Sequence, residues 1–374
     1  MHRRLARTLA VASALGAFFG APARSEGQAV SCGVSAVETR WLSESYRETH
    51  TYGLGNDPWI DYYGGLAAAG DSVFLYDHVR PRIAHLSGEL EERHAFGRKG
   101  EGPGEFNLSW PIRWLDDISE GYVDFDGRHL VVYDRLDLAV FDAAGNFQWS
   151  VRRPSPRAVT GIRFVSAAGN EEVVFGVDSL DSTGRRLQLW RVRRSDRNHE
   201  LLWEQAVPHG ASDGNFASLG NRGARSYWAG HRDCVIVTDG GRPFLWVVDL
   251  STLQTDSIAL PAWQVPTHGA LPSDTHMLNF GGREVEPPPP PALLSRWTGL
   301  IVDPDGHAWL KAWTESPEEI QVFVVSLVSA EPRSSSPPAF PTAFGPPGVF
   351  YTARAHPETD EHHLVRFEGV RRRR

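Results

Sequence analysis

Pairs of short apolar runs recur along the whole chain, and each pair has the pattern of a β-hairpin. The first runs are VFLYD (73–77), LVVYD (130–134), VVFGVD (173–178), VIVTD (235–239), AWLKAW (308–313) and VFYTAR (349–354). Their partners follow after short turns at 82–87, 138–143, 187–192, 244–250, 320–327 and 363–369. Apolar or alternating runs of this length, bounded by turn-forming residues, are typical of strands. The pattern therefore predicts six hairpins.

Further strand-like segments precede four of these hairpins, at 65–71, 121–127, 161–169 and 299–306. Two of them end in DFDG and DPDG, where Asp-Gly suits a tight hairpin turn. A period of about 40–60 residues with four strands in each unit is typical of propeller blades. The sequence thus predicts an all-β fold, a six-bladed β-propeller with four-stranded antiparallel blades.

The two ends of the chain are expected to meet in one blade. The last predicted blade lacks a strand, while the segment VSAVETRWLSES (34–45) alternates and has no partner. Pairing an N-terminal strand with the last blade would close the ring and remove an exposed sheet edge. The proline-rich segments 287–291 and 334–347 then read as surface loops inside one domain.

The first 23 residues have the features of an export signal. His2 and three arginines precede the apolar run 9–20, and small residues follow at Ala21-Pro22-Ala23. About a dozen apolar residues are too few to span a bilayer of roughly 30 Å. We therefore expect a signal peptide at 1–23 and a single propeller domain at 24–374, without a transmembrane segment in the mature chain and located in the periplasm or secreted.

Composition supports the β assignment and limits the partners. Thirteen Trp, eighteen Phe and nine Tyr accompany 36 Gly and 26 Pro, which are strand and turn residues respectively. The formal net charge of −8 disfavours nucleic acid, because phosphate binding requires a concentrated basic surface. Cys32 and Cys234 are the only cysteines; in an oxidising compartment they could pair or remain as two thiols.

The segment GRKGEGPGEF (97–106) concentrates glycine between charged residues. A phosphate-binding loop would need its glycines to lead into a helix, and the sequence predicts no helix here. A structural role fits better: the glycines allow the backbone to cross tightly between two blades, and Phe106 fills the space between their sheets.

From this segment to DAAGNF (142–147), the sequence resembles an NHL repeat, whose blades begin with a glycine-rich GxGPGxF-type turn. The segment 70–90 is similar, and the resemblance covers about two blades. The chain also resembles bacterial exported six-bladed propellers that carry a GEGPGEF segment. This resemblance implies a propeller fold and leaves the activity open.

Four aspartates, Asp77, Asp134, Asp178 and Asp239, end the same strand in four predicted blades. A ring of carboxylates could hold calcium. The NHL resemblance implies another role, in which each aspartate fixes a turn or pairs with an arginine such as Arg82. Polar candidates for the channel are few, namely Asp124, Arg163 and the predicted turn residue Asp303, and an HExxH motif is absent.

The loops before the innermost strands contain arginine and tryptophan, and in a propeller these loops gather at one mouth of the channel. Convergent Arg and Trp side chains could hold an anionic or sugar-containing ligand by forked hydrogen bonds and stacking. Alternatively, each Trp packs between blades and each Arg pairs with a carbonyl or an acid. The ligand-binding candidates are Trp110, Arg113, Arg157, Arg225, Arg296 and Trp297.

The sequence therefore predicts an exported scaffold that binds a protein, a glycan or an anionic small molecule at the channel mouth, without catalysis of its own. No cofactor is predicted, although calcium remains an option. The alternative is a calcium-dependent hydrolase or lyase of the propeller type.

Overall fold

A computed structural model describes residues 45–53, 63–77, 82–100, 102–106, 123–134, 137–152, 158–167, 170–181, 184–207, 226–240, 242–260, 278–280, 283–285, 297–312, 314, 320–327, 332–335, 337–355 and 362–370. Within these ranges the regular secondary structure consists of strands, and no helix occurs.

The strands form six four-stranded antiparallel sheets, the blades, and one small hairpin. Blade 1 contains β2 (Tyr63–Ala69), β3 (Ser72–Asp77), β4 (Arg82–Ser87) and β5 (Glu92–Phe96). Blade 2 contains β6 (Val123–Phe125), β7 (His129–Asp134), β8 (Asp137–Asp142) and β9 (Phe147–Arg152). Blade 3 contains β10 (Ala158–Ala167), β11 (Asn170–Asp181), β12 (Gly184–Arg193) and β13 (His199–Val207).

Blade 4 contains β14 (Tyr227–His231), β15 (Cys234–Thr238), β16 (Phe244–Asp249) and β17 (Thr255–Ala259). The small hairpin of β18 (Leu278–Phe280) and β19 (Arg283–Val285) follows. Blade 5 contains β20 (Trp297–Val302), β21 (His307–Ala312), β22 (Gln321–Ser326) and β23 (Pro332–Ser335). Blade 6 combines β24 (Ala343–Phe344), β25 (Val349–Ala355) and β26 (His362–Gly369) with the N-terminal β1 (Tyr46–Tyr52).

All six predicted hairpins are present as the two middle strands of the six blades. The innermost strands β24, β2, β6, β10, β14 and β20 follow one another around the axis, since β2 lies against β24 and β6, and β14 lies against β10 and β20. The prediction of a six-bladed propeller with four-stranded antiparallel blades is confirmed.

The ring closes through an N-terminal strand, as predicted, but the strand begins later in the chain. It spans Tyr46–Tyr52 and pairs with β26, whereas the predicted segment was 34–45, of which the structure describes only Ser45. Most side chains of this strand are polar and exposed, because it is the outermost strand of its blade and is held by backbone pairing. Tyr52 is buried, and its hydroxyl donates to Glu92 of blade 1 at 2.5 Å.

The GRKGEGPGEF segment lies between blades 1 and 2 and has internal hydrogen bonds. The Gly100 amide donates to the Phe106 carbonyl at 3.0 Å, and the Gly102 amide donates to the Glu105 carboxylate at 2.9 Å. Gly97 and Gly104 have φ values of 89° and 75°, where glycine is favoured. A Cβ on Gly97 would lie 2.2 Å from the Phe106 ring. These glycines therefore provide tight packing, and the two amides are already used within the segment.

Cys234, at the start of β15, is fully buried between blades 4 and 5 and is disulfide-bonded. Cys32, the other cysteine of the chain, lies outside the described residues. Of the two states that the sequence left open for the cysteines, the structure has the oxidised one at Cys234.

Candidate ligand-binding face

The upper face of the propeller is the end at which the innermost strands begin and the second strands of the blades end; the opposite end is the lower face. Loops between blades therefore join the innermost strands at the upper face. Of the six predicted binding residues, five lie outside the described residues: Trp110, Arg113, Arg157, Arg225 and Arg296. Their sequence positions are informative, since Arg157 directly precedes β10 and Arg296 directly precedes β20.

Trp297 is the predicted binding residue that the structure describes. Its side chain is fully buried between blades 4 and 5 and meets Phe323 edge to face, with the ring centroids 5.6 Å apart. Its backbone amide donates to the Gly240 carbonyl at 3.2 Å. Trp297 thus anchors the start of β20 by packing, which is the alternative role that the sequence analysis gave for each tryptophan. Ligand binding by the candidate residues at the channel mouth stays a prediction.

Asp239 and Arg242 form a compact turn at the upper end of blade 4. Asp239 is 2% exposed and accepts from the Arg242 amide at 2.9 Å and from the Arg242 Nε at 2.5 Å. The guanidinium lies over the Trp246 ring at 4.4 Å and near Phe244 at 5.1 Å. Stacking and pairing together hold the Arg242 side chain against the end of blade 4.

Asp178 connects two blades at the upper face. The Ser226 hydroxyl, which lies just before β14 of blade 4, donates to Asp178 Oδ2 of blade 3 at 2.9 Å. Ser226 is 7% exposed. Beyond Asp178 the hairpin of β11 and β12 continues for three further residue pairs, ending at Asp181 opposite Gly184. The hairpin of β11 and β12 therefore extends blade 3 above this contact.

Asp77 pairs with Arg82 in blade 1, at 3.8 Å between the carboxylate and Nε. This is the partner that the NHL resemblance implied. The Asp134 side chain lies outside the described residues. The described members of the predicted aspartate ring are Asp77, Asp178 and Asp239. Each of them bonds to a residue outside that ring. Among the described residues, no group of three or more His, Cys, Asp or Glu could hold a metal ion.

The channel candidates are less informative. Asp303 is fully buried in the turn between β20 and β21, as the DPDG pattern predicts, and accepts from the His307 amide and the Trp309 indole, each at 2.9 Å. Asp124 lies on β6, opposite Val131. The Arg163 side chain is outside the described part. The sequence analysis did not identify Ser226, Gly240 or Arg242 as candidates. The DGGR segment (239–242) does place an acidic and a basic residue three positions apart.

A histidine buried near the lower face of blade 1 was also not predicted. His85 stacks on Phe74 with centroids 4.4 Å apart, and its Nε2 lies 3.1 Å from the Ser72 hydroxyl. Burial, followed by the positive charges of His94 and Arg93, lowers the pKa of His85 from 6.5 to about 4. The imidazole is therefore neutral in the folded protein at neutral pH.

We expect acidification to destabilise the protein through His85. The unfolded chain, with a pKa near 6.5 at this position, takes up the proton first, so the contribution is complete above about pH 6.5 and is lost as the pH falls towards 4. His85→Gln keeps a polar group for Ser72 but does not titrate. Between pH 7 and 4.5, thermal unfolding followed by circular dichroism should give a smaller fall in Tm for the variant. Equal falls would contradict this assignment.

Comparisons with known proteins support the fold alone. No protein-family model and no curated protein matches the chain. A protein from Bacteroides fragilis described as exported is 9% identical, with 88% of this chain and 97% of that chain covered and a TM-score of 0.52. A gluconolactonase from Xanthomonas campestris is 12% identical over 92% of this chain and 98% of its own, with a TM-score of 0.42.

The calcium-binding regucalcin of Agrobacterium tumefaciens is 11% identical over 88% of this chain and 98% of its own, also with a TM-score of 0.42. At these identities the similarity concerns architecture, and the site has to be argued from this chain. Among the described residues, no helix is long and apolar enough to cross a membrane.

Proposed function

We propose that this protein is an exported propeller, with a signal peptide at 1–23 and a single domain at 24–374, that binds a ligand or protein partner at its upper face without catalysis. Its blades are proposed to be of the NHL type. The proposed binding residues are Trp110, Arg113, Arg157, Arg225 and Arg296, and the buried Trp297 is proposed to support them as the anchor of β20. Sequencing the N-terminus of the exported protein tests the cleavage after Ala23.

The observation that carries the proposal is the position of three arginines relative to the described strands. Arg157, Arg225 and Arg296 each lie one or two residues before the innermost strand of blades 3, 4 and 5. These strands are neighbours around the axis. Arginine thus recurs in the sequence next to the start of three successive innermost strands, in a chain whose net charge is −8. Anionic small molecules, acidic glycans and acidic protein surfaces are the ligands that such a group favours.

The test is a binding screen followed by substitution of the arginines at the channel mouth. Anionic small molecules and acidic oligosaccharides are screened by calorimetry, and Arg113, Arg157, Arg225 and Arg296 are then changed together to glutamine. Loss of several charge-assisted hydrogen bonds should weaken binding by at least about a hundredfold. Unchanged affinity for every ligand found would exclude the mouth as the binding site.

A matched variant carries four Arg→Gln changes at the lower face and has the same change in net charge. The residues are Arg47, Arg194, Arg197 and Arg232, all exposed. It should bind as the unchanged protein does. Metal analysis of the same preparation tests the alternative of a calcium-dependent hydrolase or lyase, which requires a stoichiometric divalent ion and activity that a chelator removes.

A further inference from the structure

His94 of β5 carries a hydrogen bond across the boundary between blades 1 and 2. Its Nε2 donates to the Ala144 carbonyl, in the turn between β8 and β9, at 3.1 Å. Two residues further along β5, the Phe96 ring lies 5.4 Å from the Phe141 ring of blade 2, measured between centroids. A Cβ on Gly145 of the same turn would lie 2.5 Å from the Phe96 ring. β5 is therefore held to blade 2 by His94 and Phe96.

His94 also covers the buried His85 of β4. The two imidazole rings meet edge to face with centroids 4.9 Å apart, and the His85 ring stacks on Phe74 at 4.4 Å. His85 is 7% exposed, and its Nδ1 has no hydrogen-bond partner among the described residues. A protonated ring would therefore carry an N–H without an acceptor. Phe74 is fully buried whereas His94 is partly exposed, so solvent lies on the His94 side of this ring.

The charges around His85 disfavour a proton on its ring. Burial is the largest cause of its lowered pKa, followed by the positive charges of His94 and Arg93 on β5. Asp71, in the turn before β3, acts in the opposite direction, but its carboxylate already pairs with the Arg93 guanidinium and accepts from the Gly88 amide at 3.0 Å. Protonating His85 in place would thus put a further positive charge into a buried site that already has two positive neighbours.

We infer that the boundary between blades 1 and 2 contains an acid-sensitive joint, formed by His85, His94 and the Ala144 carbonyl. Protonation drives the His85 ring towards solvent, which displaces His94 from Ala144 and loosens β5 from blade 2. The inference concerns a conformational device and does not depend on the proposed binding function.

The neighbouring boundaries are expected to respond to acid in the opposite direction. His50 of blade 6 pairs with Glu89 of blade 1 at 3.0 Å, and His129 of blade 2 lies 4.0 Å from Glu171 of blade 3. His129 also lies 3.5 Å from Asp126 of its own blade. A protonated histidine attracts a carboxylate beside it, so these contacts are strengthened by acid. Acid should therefore loosen one boundary and not the whole ring.

The size of the effect follows from proton linkage at His85. Its pKa is about 4 in the closed joint, and a solvated ring has the ordinary value of 6.5. The open form therefore takes up the proton first, so the joint is most firmly closed above about pH 6.5 and loosens as the pH falls towards 4. Between pH 7.5 and 5, the equilibrium constant for opening should rise about 30-fold.

Hydrogen exchange followed by mass spectrometry tests the joint. Exchange rates at pH 7.5 and 5 are divided by the intrinsic rates at each pH, which gives the protection of each peptide. Protection of β5 should fall about 30-fold between the two pH values, and that of β15 and β16 in blade 4 by less than about threefold. In His85→Gln, which keeps a polar group for Ser72 but does not titrate, the fall in β5 should also be below about threefold. His129→Gln is the matched control and should keep the full fall in β5.

Three results would contradict the joint. The first is unchanged protection of β5 at pH 5, and the second is a fall in His85→Gln as large as in the unchanged protein. The third is an equal fall in β5 and in blade 4, which would mean that acid unfolds the whole ring. If His85→Gln does not fold, His85→Phe also removes the titrating group and keeps a flat ring against Phe74, and the same fall below about threefold is expected.

Discussion

Replacing Phe106 by alanine is expected to lower the free energy of unfolding by about 3–5 kcal/mol, in the range for large aromatic residues removed from a packed core. Its ring is fully buried and lies 5.3 Å from the Tyr76 ring of blade 1 and 5.8 Å from the Phe141 ring of blade 2, measured between centroids. The substitution therefore opens a cavity between two blades instead of inside one.

Equilibrium unfolding in urea, followed by circular dichroism, measures this loss. The control is Leu253→Ala, since Leu253 is 43% exposed and should change stability by less than about 0.5 kcal/mol. A loss below about 1 kcal/mol at Phe106 would mean that the glycine-rich segment does not join the blades by packing. Its glycines would then need another explanation, such as ligand binding.

Most of the blade architecture could be predicted because the hydrophobic pattern of each strand's own residues indicates how the strand is buried. Middle strands such as β3 and β15 are buried on both sides, so their sequences are continuous apolar runs, VFLYD (73–77) and VIVTD (235–239). The outermost strands face solvent and carry a weaker signal. For this reason the hydrophobic pattern predicts the closing strand at 34–45, whereas the polar sequence YRETHTY (46–52) forms it.

The candidate site was less predictable, because its contacts connect distant parts of the chain. Asp77 and Arg82 are five residues apart and face each other across one turn, so this pair could be anticipated. Asp178 and Ser226 are 48 residues apart, and no periodic pattern joins them. Their contact exists because blades 3 and 4 are neighbours in the closed ring. The same holds for Trp297, whose buried position depends on blades 4 and 5 packing together.

These contacts also explain how one face can carry a site on a repetitive scaffold. In blades 3 and 4 the end of the second strand lies near the start of the next blade's innermost strand, so a hydrogen-bonding group at that end can hold the start of that strand. Asp178 and Gly240 are used in this way in consecutive blades.

Removing the disulfide of Cys234 is expected to cost about 2–5 kcal/mol of stability. Cys234 lies at the lower face, where β15 begins, and Ser45 lies at the same face, where β1 begins. With Cys32 as the partner, the bond would join the segment that precedes β1, the N-terminal strand of blade 6, to blade 4. It would thus close the ring a second time, by a covalent link in addition to the pairing of β1 with β26.

Thiol titration of the unfolded exported protein should detect no thiol before reduction and two after it. Cys32→Ser removes the bond without creating a cavity around Cys234, and urea unfolding should show the loss in this variant. The double variant Cys32→Ser, Cys234→Ser removes the same single bond, so the two losses should not add. Two thiols in the unreduced protein, or an unchanged urea midpoint in Cys32→Ser, would mean that the ring is closed only by the pairing of β1 with β26.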